Sequence, residues 1–398
     1  MTSDATPVDP PIPVPDVPGA DTSADGLPDR SALPPRQRMI VEASAVSDVG
    51  LRTAVATMLG AAMLPPVLGT AVRRSESHRE RDNLGFYAEL AAEPDPTRSF
   101  PAPTASPRVS SRPASPLAEW LAHGHVENIA FASSFEAVNP AMRQQWRTLH
   151  RNNVVRAQHW RHDDGPRPTL CVIHGFLGSS YLLNGRFFSL PWYYKSGYDV
   201  VLYTLPFHGR RAEKYSPFSG YGYFARGLTG FAEATAQAVH DFRSLLDYLR
   251  STGVERIALT GISLGGYTSA LIASVDDRLE AVIPNCPVVT PIAAFDDWFP
   301  ASLLVALGMR MSDISRDELA AALSYHSPLS YRPLVAKDRR LIITGLGDRF
   351  APPGQAEMLW QHWDHCALHW FPGSHLMHIS QLDYLRRMTQ FLQGFMFS

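Results

Sequence analysis

Residues 256–268, Arg-Ile-Ala-Leu-Thr-Gly-Ile-Ser-Leu-Gly-Gly-Tyr-Thr, constrain this chain more than any other stretch. A short apolar strand runs into Gly-x-Ser-x-Gly and then directly into the start of a helix. A strand that turns into a helix around a serine leaves no space for Cβ atoms at Gly261 and Gly265. The turn holds Ser263 in a strained backbone conformation, with its hydroxyl beyond the sheet. The helix beginning there points its positive end and free N–H groups at any anion forming beside the serine. A pentapeptide of this kind arises by chance often enough to prove little alone. The apolar strand before it and the small residues after it (Gly266, Thr268, Ser269, Ala270) give it meaning.

The remainder of the chain divides by composition. Its 398 residues are 45% hydrophobic and 19% charged, which suits a soluble protein with a large core. A net charge of −2 gives no electrostatic case for nucleic-acid binding. Cys171, Cys286 and Cys366 are few, odd in number and far apart, so a reducing, cytoplasmic setting is expected. Residues 1–38 are rich in Pro, Asp and Ala without apolar periodicity and read as a disordered tail, with Met39 a second candidate start. That tail lacks the basic start and apolar run of a signal peptide. Residues 53–72 carry no charge and are long enough for a membrane span, but Gly60 and Pro65-Pro66 interrupt them. The preferred expectation is an accessory helix packed on the main domain; a peripheral membrane or partner helix is the alternative. Residues 39–116 thus form a helical extension followed by a Pro-rich linker.

From residue 117 onward the chain becomes regular. Entry strands at 125–131 and 153–160 precede apolar strands at 169–173, 199–204, 256–262, 281–284, 340–344 and 367–371, with helices between them. Strands apolar throughout and separated by helices indicate a twisted, mostly parallel sheet covered on both faces. Reactive groups in such sheets collect on loops at the carboxyl ends of strands.

A serine hydroxyl is a poor nucleophile until a base takes its proton and a third group orients that base. Asp348 lies just past an apolar strand and before Pro352-Pro353, where an orienting carboxylate belongs; a turn or N-cap aspartate is the plainer explanation. His375 follows a Pro-Gly turn and precedes the last helix, and is preferred to His378, which falls in the helical run as a packing or capping residue. The loop His174-Gly175-Phe176-Leu177-Gly178 follows another apolar strand, and its glycines admit close backbone approach. The N–H groups of Phe176 and Leu264 are the two donors a developing oxyanion needs.

In the order Ser263, Asp348, His375, with His174-Gly175-Phe176 before them, the chain from about His125 to Ser398 resembles the α/β-hydrolase superfamily. Leu205-Pro206-Phe207-His208-Gly209-Arg210 also resembles a turn that many members carry. The resemblance implies a curved, mostly parallel sheet and ester hydrolysis through an acyl-enzyme, with no cofactor and no metal. It implies no particular substrate, because this fold hosts many chemistries. An insert at about 285–333 resembles a cap over the pocket, in which Asp296 and Asp297 are runner-up acids. His174, Phe176, Tyr181, Trp298 and Phe299 are candidates to line the substrate pocket. His208, Arg210, Arg211 and Lys214 read as a solvated basic loop, with an anionic substrate group the alternative. The expected partner is a small ester or acyl substrate, with weak membrane association through 53–72 left open. Acyl transfer, or amide, lactone or C–C cleavage on the same machinery, is the alternative chemistry, and a non-catalytic interaction protein the alternative class.

Overall fold

A computed structural model of the chain describes residues 26–397 except 73, 123 and 380. Nine strands form one sheet: β1 (Ser110–Pro113), β2 (His125–Ala132), β3 (Val154–Arg161), β4 (Thr169–Ile173), β5 (Asp199–Tyr203), β6 (Ile257–Ile262), β7 (Ala281–Asn285), β8 (Leu341–Gly345) and β9 (Ala367–Phe371). Their order is β1-β2-β3-β5-β4-β6-β7-β8-β9. The first three strands meander antiparallel, and β3 meets β5 antiparallel. From β5 to β9 every pairing is parallel. β4 to β8 are buried along their whole length, as their unbroken apolar runs require.

Among the described residues, eight helices of nine or more residues surround the sheet: α1 (Pro35–Val72), α2 (Arg74–Ala92), α3 (Gly227–Ser251), α4 (Leu264–Ile272), α5 (Ala301–Met311), α6 (Arg316–Ser324), α7 (Pro353–His362) and α8 (Gln381–Met396). Two apolar cores lie on the two faces of the sheet. One joins α1, α2 and α3 to one face of the strands, through Cys171, Val201, Leu259, Val282 and Ile342, and the other joins α8 to the opposite face. The cap insert between β7 and β8 contains α5 and α6; α1 lies along α5, and α2 along α6.

The N-terminal third differs from its sequence expectation. Residues 1–25 lie outside the described part, but a short 3-10 turn at Arg30–Ala32 and the start of α1 at Pro35 fall within the segment expected to be a disordered tail. Helix α1 runs straight through Pro65-Pro66, which were expected to break it. Over Pro35–Gly69 it is long and apolar enough to cross a bilayer by length and composition. Here Val55, Ala56, Leu59, Ala62 and Met63 are buried against the domain, so packing along one stripe sustains it. The Pro-rich linker also contributes the edge strand β1, which pairs with β2 and carries no apolar alternation that would reveal it.

The basic run at 208–214 divides. Arg210 and Lys214 are exposed, but His208 and Arg211 are wholly buried, contrary to the expectation of a solvated loop. Arg211 Nη2 pairs with Asp241 Oδ2 at 2.6 Å, with neither side chain exposed. Its guanidinium also donates to the carbonyls of Asn152 and Thr204, tying the turn after β5 to α3 and to the β3 approach. Removing one partner strands a buried charge. Arg211→Ala is therefore expected to lower stability by about 3–5 kcal/mol, read from the urea unfolding midpoint. A loss below about 1 kcal/mol would contradict this account of the pair.

Candidate active site

Ser263, the residue between β6 and α4, has φ 58° and ψ −117°. That conformation is strained for a residue with a side chain and persists only where its surroundings over-determine it. The surroundings do so here. Ser263 N–H donates to Asn285 O at 3.0 Å, and Tyr267 N–H closes the first helical turn on Ser263 O at 2.8 Å. A Cβ at Gly261 would stand 2.5 Å from Gly265 O, and one at Gly265 would collide with the carbonyls of Ile173 and His174. The turn thus presses on the end of β4 and carries the next loop with it. An added Cβ at Gly175 would be 3.4 Å from Ser263 Cβ, which places the His174–Phe176 backbone beside the serine. Among the described residues the Phe176 N–H has no acceptor, and that of Leu264 is one of the free first-turn N–H groups of α4.

β8 and β9 bring the other groups to the same end of the sheet. Asp348 follows β8 and is fully buried. Its Oδ1 accepts the N–H groups of Phe350 and Ala351, each at 2.8 Å, and its Oδ2 meets His375 Nδ1 at 2.7 Å. The imidazole of His375, after β9, stacks on Phe350 with ring centroids 4.9 Å apart. With Nδ1 bound to the carboxylate, Nε2 is the nitrogen left to act as a base. Cys286, which follows β7, joins this cluster: its sulfur, one Asp348 carboxylate oxygen and one imidazole nitrogen lie within 4.8 Å of one another. Burial, with the Asp348 charge, pushes its thiol well above its ordinary pKa. Among the described residues the Ser263 hydroxyl makes no hydrogen bond, so its approach to Nε2 is not closed in this state. Such contacts tighten when substrate is bound.

Burial pulls the His375 imidazole down, but the charge and hydrogen bond of Asp348, with the charge of Asp48, outweigh it and leave its pKa above the ordinary value. The fold therefore favours the protonated form. The resulting stabilisation is complete below the unfolded pKa of about 6.5 and is lost as pH rises through the folded value.

Other candidates take different places. His378 has both ring nitrogens occupied, by Tyr384 Oη at 2.7 Å and His375 O at 2.9 Å, and burial depresses it to about 4. Asp296 pairs with Arg316 on the cap, away from the imidazole, and the side chain of Asp297 lies outside the described part. A cavity of about 70 Å³ opens at Ser263, walled by Leu59, Phe176, Phe224, Phe231, Tyr267 and Trp298 among others. Trp298 is thus at the pocket, but three residues named with it are not. His174 is buried behind the loop, with Nδ1 on Gly175 O at 2.8 Å and Nε2 on Leu205 N–H at 3.2 Å. Tyr181 faces a separate groove beside β3 and bonds Thr204 Oγ1 at 3.0 Å. Phe299 is 62% exposed. Aromaticity and proximity in sequence do not tell inward from outward. Leu59, Phe224 and Phe231 were missed because helices far from the motif deliver them.

These features define an α/β protein with a serine at a strained strand-to-helix turn and an aspartate–histidine pair on the neighbouring strand ends. A family model described as the alpha/beta hydrolase fold matches residues 168–347. Two uncharacterized proteins from two strains of Mycobacterium tuberculosis are each 34% identical over 241 residues, which is 58% of this chain and 55% of theirs. The chain therefore spans about half the length of the curated relatives it matches. Acetyl xylan esterase from Paenibacillus sp. R4 superposes with a TM-score of 0.52 at 16% identity, covering 78% of this chain and 94% of that one. Acetyl xylan esterase 1 from Thermoanaerobacterium sp. JW/SL YS485 gives 0.51 at 15%, covering 78% and 93%. Over residues 168–347 the chain thus has the alpha/beta hydrolase fold, and the sheet around that region superposes on the same fold.

The electrostatics of the site can be read without a substrate. In an NMR titration His375 is expected to have its midpoint above 6.5, while His174 and His378 stay neutral down to about pH 4. A His375 midpoint below that of a free imidazole would contradict the Asp348 contact.

Proposed function

We propose that this protein is a serine hydrolase that cleaves a short-chain carboxylic ester through an acyl-enzyme on Ser263. Ser263 Oγ attacks the ester carbonyl carbon while His375 Nε2 takes its proton. Asp348 holds the imidazole by Nδ1 and stabilises the imidazolium that forms. The tetrahedral oxyanion sits between the N–H groups of Phe176 and Leu264, at the positive end of α4. Collapse expels the alcohol, which takes the proton from Nε2. Water then enters by the same route and adds to the acyl carbon as it gives a proton to Nε2; the Ser263 Oγ–acyl bond breaks, Oγ takes that proton back, and the acid leaves.

The observation that carries this reading is the 2.7 Å bond between His375 Nδ1 and Asp348, at the same end of the sheet as the Ser263 turn and linked to it through Asn285 and Cys286. The preference for a short acyl group follows from the cavity. Its volume of about 70 Å³ is far below the roughly 300–1,000 Å³ of sites for drug-sized ligands, and its walls are almost wholly apolar. On a panel of p-nitrophenyl esters, kcat/KM is expected to be highest for two- to four-carbon acyl groups. Ser263→Ala is expected to lower it by at least about a thousandfold. Leu59→Ala, which enlarges the pocket from α1, is expected to move the optimum to longer chains. Full activity in Ser263→Ala would reject the nucleophile, and an optimum at long chains would reject the pocket.

Weak association with a lipid surface is a second part of the proposal. It is favoured by the exposed Leu64 and Leu68 on α1 and Phe299, Leu303 and Leu307 on the adjoining cap. Intact protein is expected to float with liposomes and the Leu64→Ser/Leu68→Ser variant to float less. Equal recovery of both in the bottom fraction would remove this part.

A further inference from the structure

The acid and base loops are joined by a second carboxylate, from an element outside the matched family region. Asp48 lies on α1, and its side chain is only 1% exposed. Its Oδ2 accepts the N–H of His375 at 2.9 Å and that of Arg349 at 3.1 Å. Its Oδ1 accepts from Ser374 Oγ at 2.8 Å. One side chain therefore holds the backbone of the proposed base, the residue before it and the residue after the proposed acid. Helix α1 is itself anchored there. Arg52 donates to Arg349 O at 3.1 Å, and Arg30, just before the helix, donates to Leu346 O at 2.6 Å. Ser44 and Val41 O come so near Gly347 that any side chain at 347 would collide with them.

We propose that Asp48 is a positioning residue of the Ser263 site: it fixes the loops bearing Asp348 and His375 in register and places a second negative charge behind the imidazole. A carboxylate taken out of water must accept hydrogen bonds, and here two N–H groups and a hydroxyl satisfy it. Its charge remains, and it acts on the imidazolium that exists only once the serine proton has been transferred. The charged and titratable groups on the elements around His375 are Asp348 and Arg349 of the acid loop, Asp48 and Arg52 of α1, Cys286 after β7, and His378 of its own loop. The negative charges that raise the imidazole are Asp348 and Asp48, working against burial.

This inference rests on the proposed Ser263–His375–Asp348 chemistry, and the experiment separates the two. Asp48→Asn is nearly isosteric. Its carbonyl oxygen still accepts both N–H groups, and its amide can donate to Ser374 Oγ, so the loops stay held while the charge is removed. In Asp48→Asn the His375 NMR midpoint and the acidic limb of kcat/KM are expected to fall together by about half a unit to one unit. kcat is expected to drop about 5–20-fold with KM little changed. Ser374→Ala, which leaves the charge and both backbone bonds, is expected to keep the wild-type pH limb and lose less than about threefold. An unchanged His375 midpoint in Asp48→Asn, or a Ser374→Ala limb displaced as far as that of Asp48→Asn, would overturn the role of Asp48. If Ser263→Ala is inactive while Asp48→Asn behaves as wild type, only this inference fails; an active Ser263→Ala brings down both.

Discussion

Gly261 and Gly265 let the backbone of the Ser263 turn lie directly against the carbonyls at the end of β4. Everything reactive in the proposed site is referred to that contact. It holds the serine at positive φ against a strain of about 1–3 kcal/mol. It brings the His174–Phe176 loop, which continues from the same carbonyls, beside the serine side chain. It also sets the start of α4, so two backbone N–H groups from different elements face one point. The hydrogen bond from Ser263 N–H to Asn285 O then links the turn to β7, whose next residue, Cys286, touches the aspartate–histidine cluster. Parallel neighbours in the sheet thus relay position across β6, β7, β8 and β9.

The N-terminal extension belongs to the same construction. Helix α1 supplies Leu59 to the wall of the small cavity and Asp48 to the two loops behind it. It also packs along the cap helix α5, so pocket wall, loop register and cap are coupled through one long element. Helix α2 adds a polar tie beneath the same region. Tyr87 Oη donates to Glu233 Oε1 at 2.7 Å, and that carboxylate also accepts the N–H groups of Val138 and Asn139. Burial raises Glu233 to about 7 despite these bonds, which marks how completely the extension closes over α3.

The sheet was legible because its central strands are apolar on both faces and separated by helices, a pattern that few folds satisfy. The placement of Ser263, Asp348 and His375 at the carboxyl ends of strands was legible because each stands on a loop shortly after a strand. The pocket was not, since Tyr181 and Phe299 look as suitable in sequence as Trp298 and only packing tells their directions apart. The unbroken run of helix α1 was not legible, because tertiary contacts along one stripe outweigh Pro65-Pro66. Asp48 carries a faint signal in hindsight. It falls on the same helical stripe as Val41, Ala45, Val55 and Leu59, all buried, and a carboxylate on an apolar stripe calls for a partner. Its partners lie some 300 residues further along the chain, so no local pattern names them.

The central claim is that Ser263 is an activated nucleophile, and covalent capture tests it most directly. Native protein treated with a fluorophosphonate and digested should carry the adduct on the peptide containing Ser263, with labelling that rises as His375 loses its proton. Absence of an adduct across that pH range, or modification of a different serine at equal rate, would contradict the account.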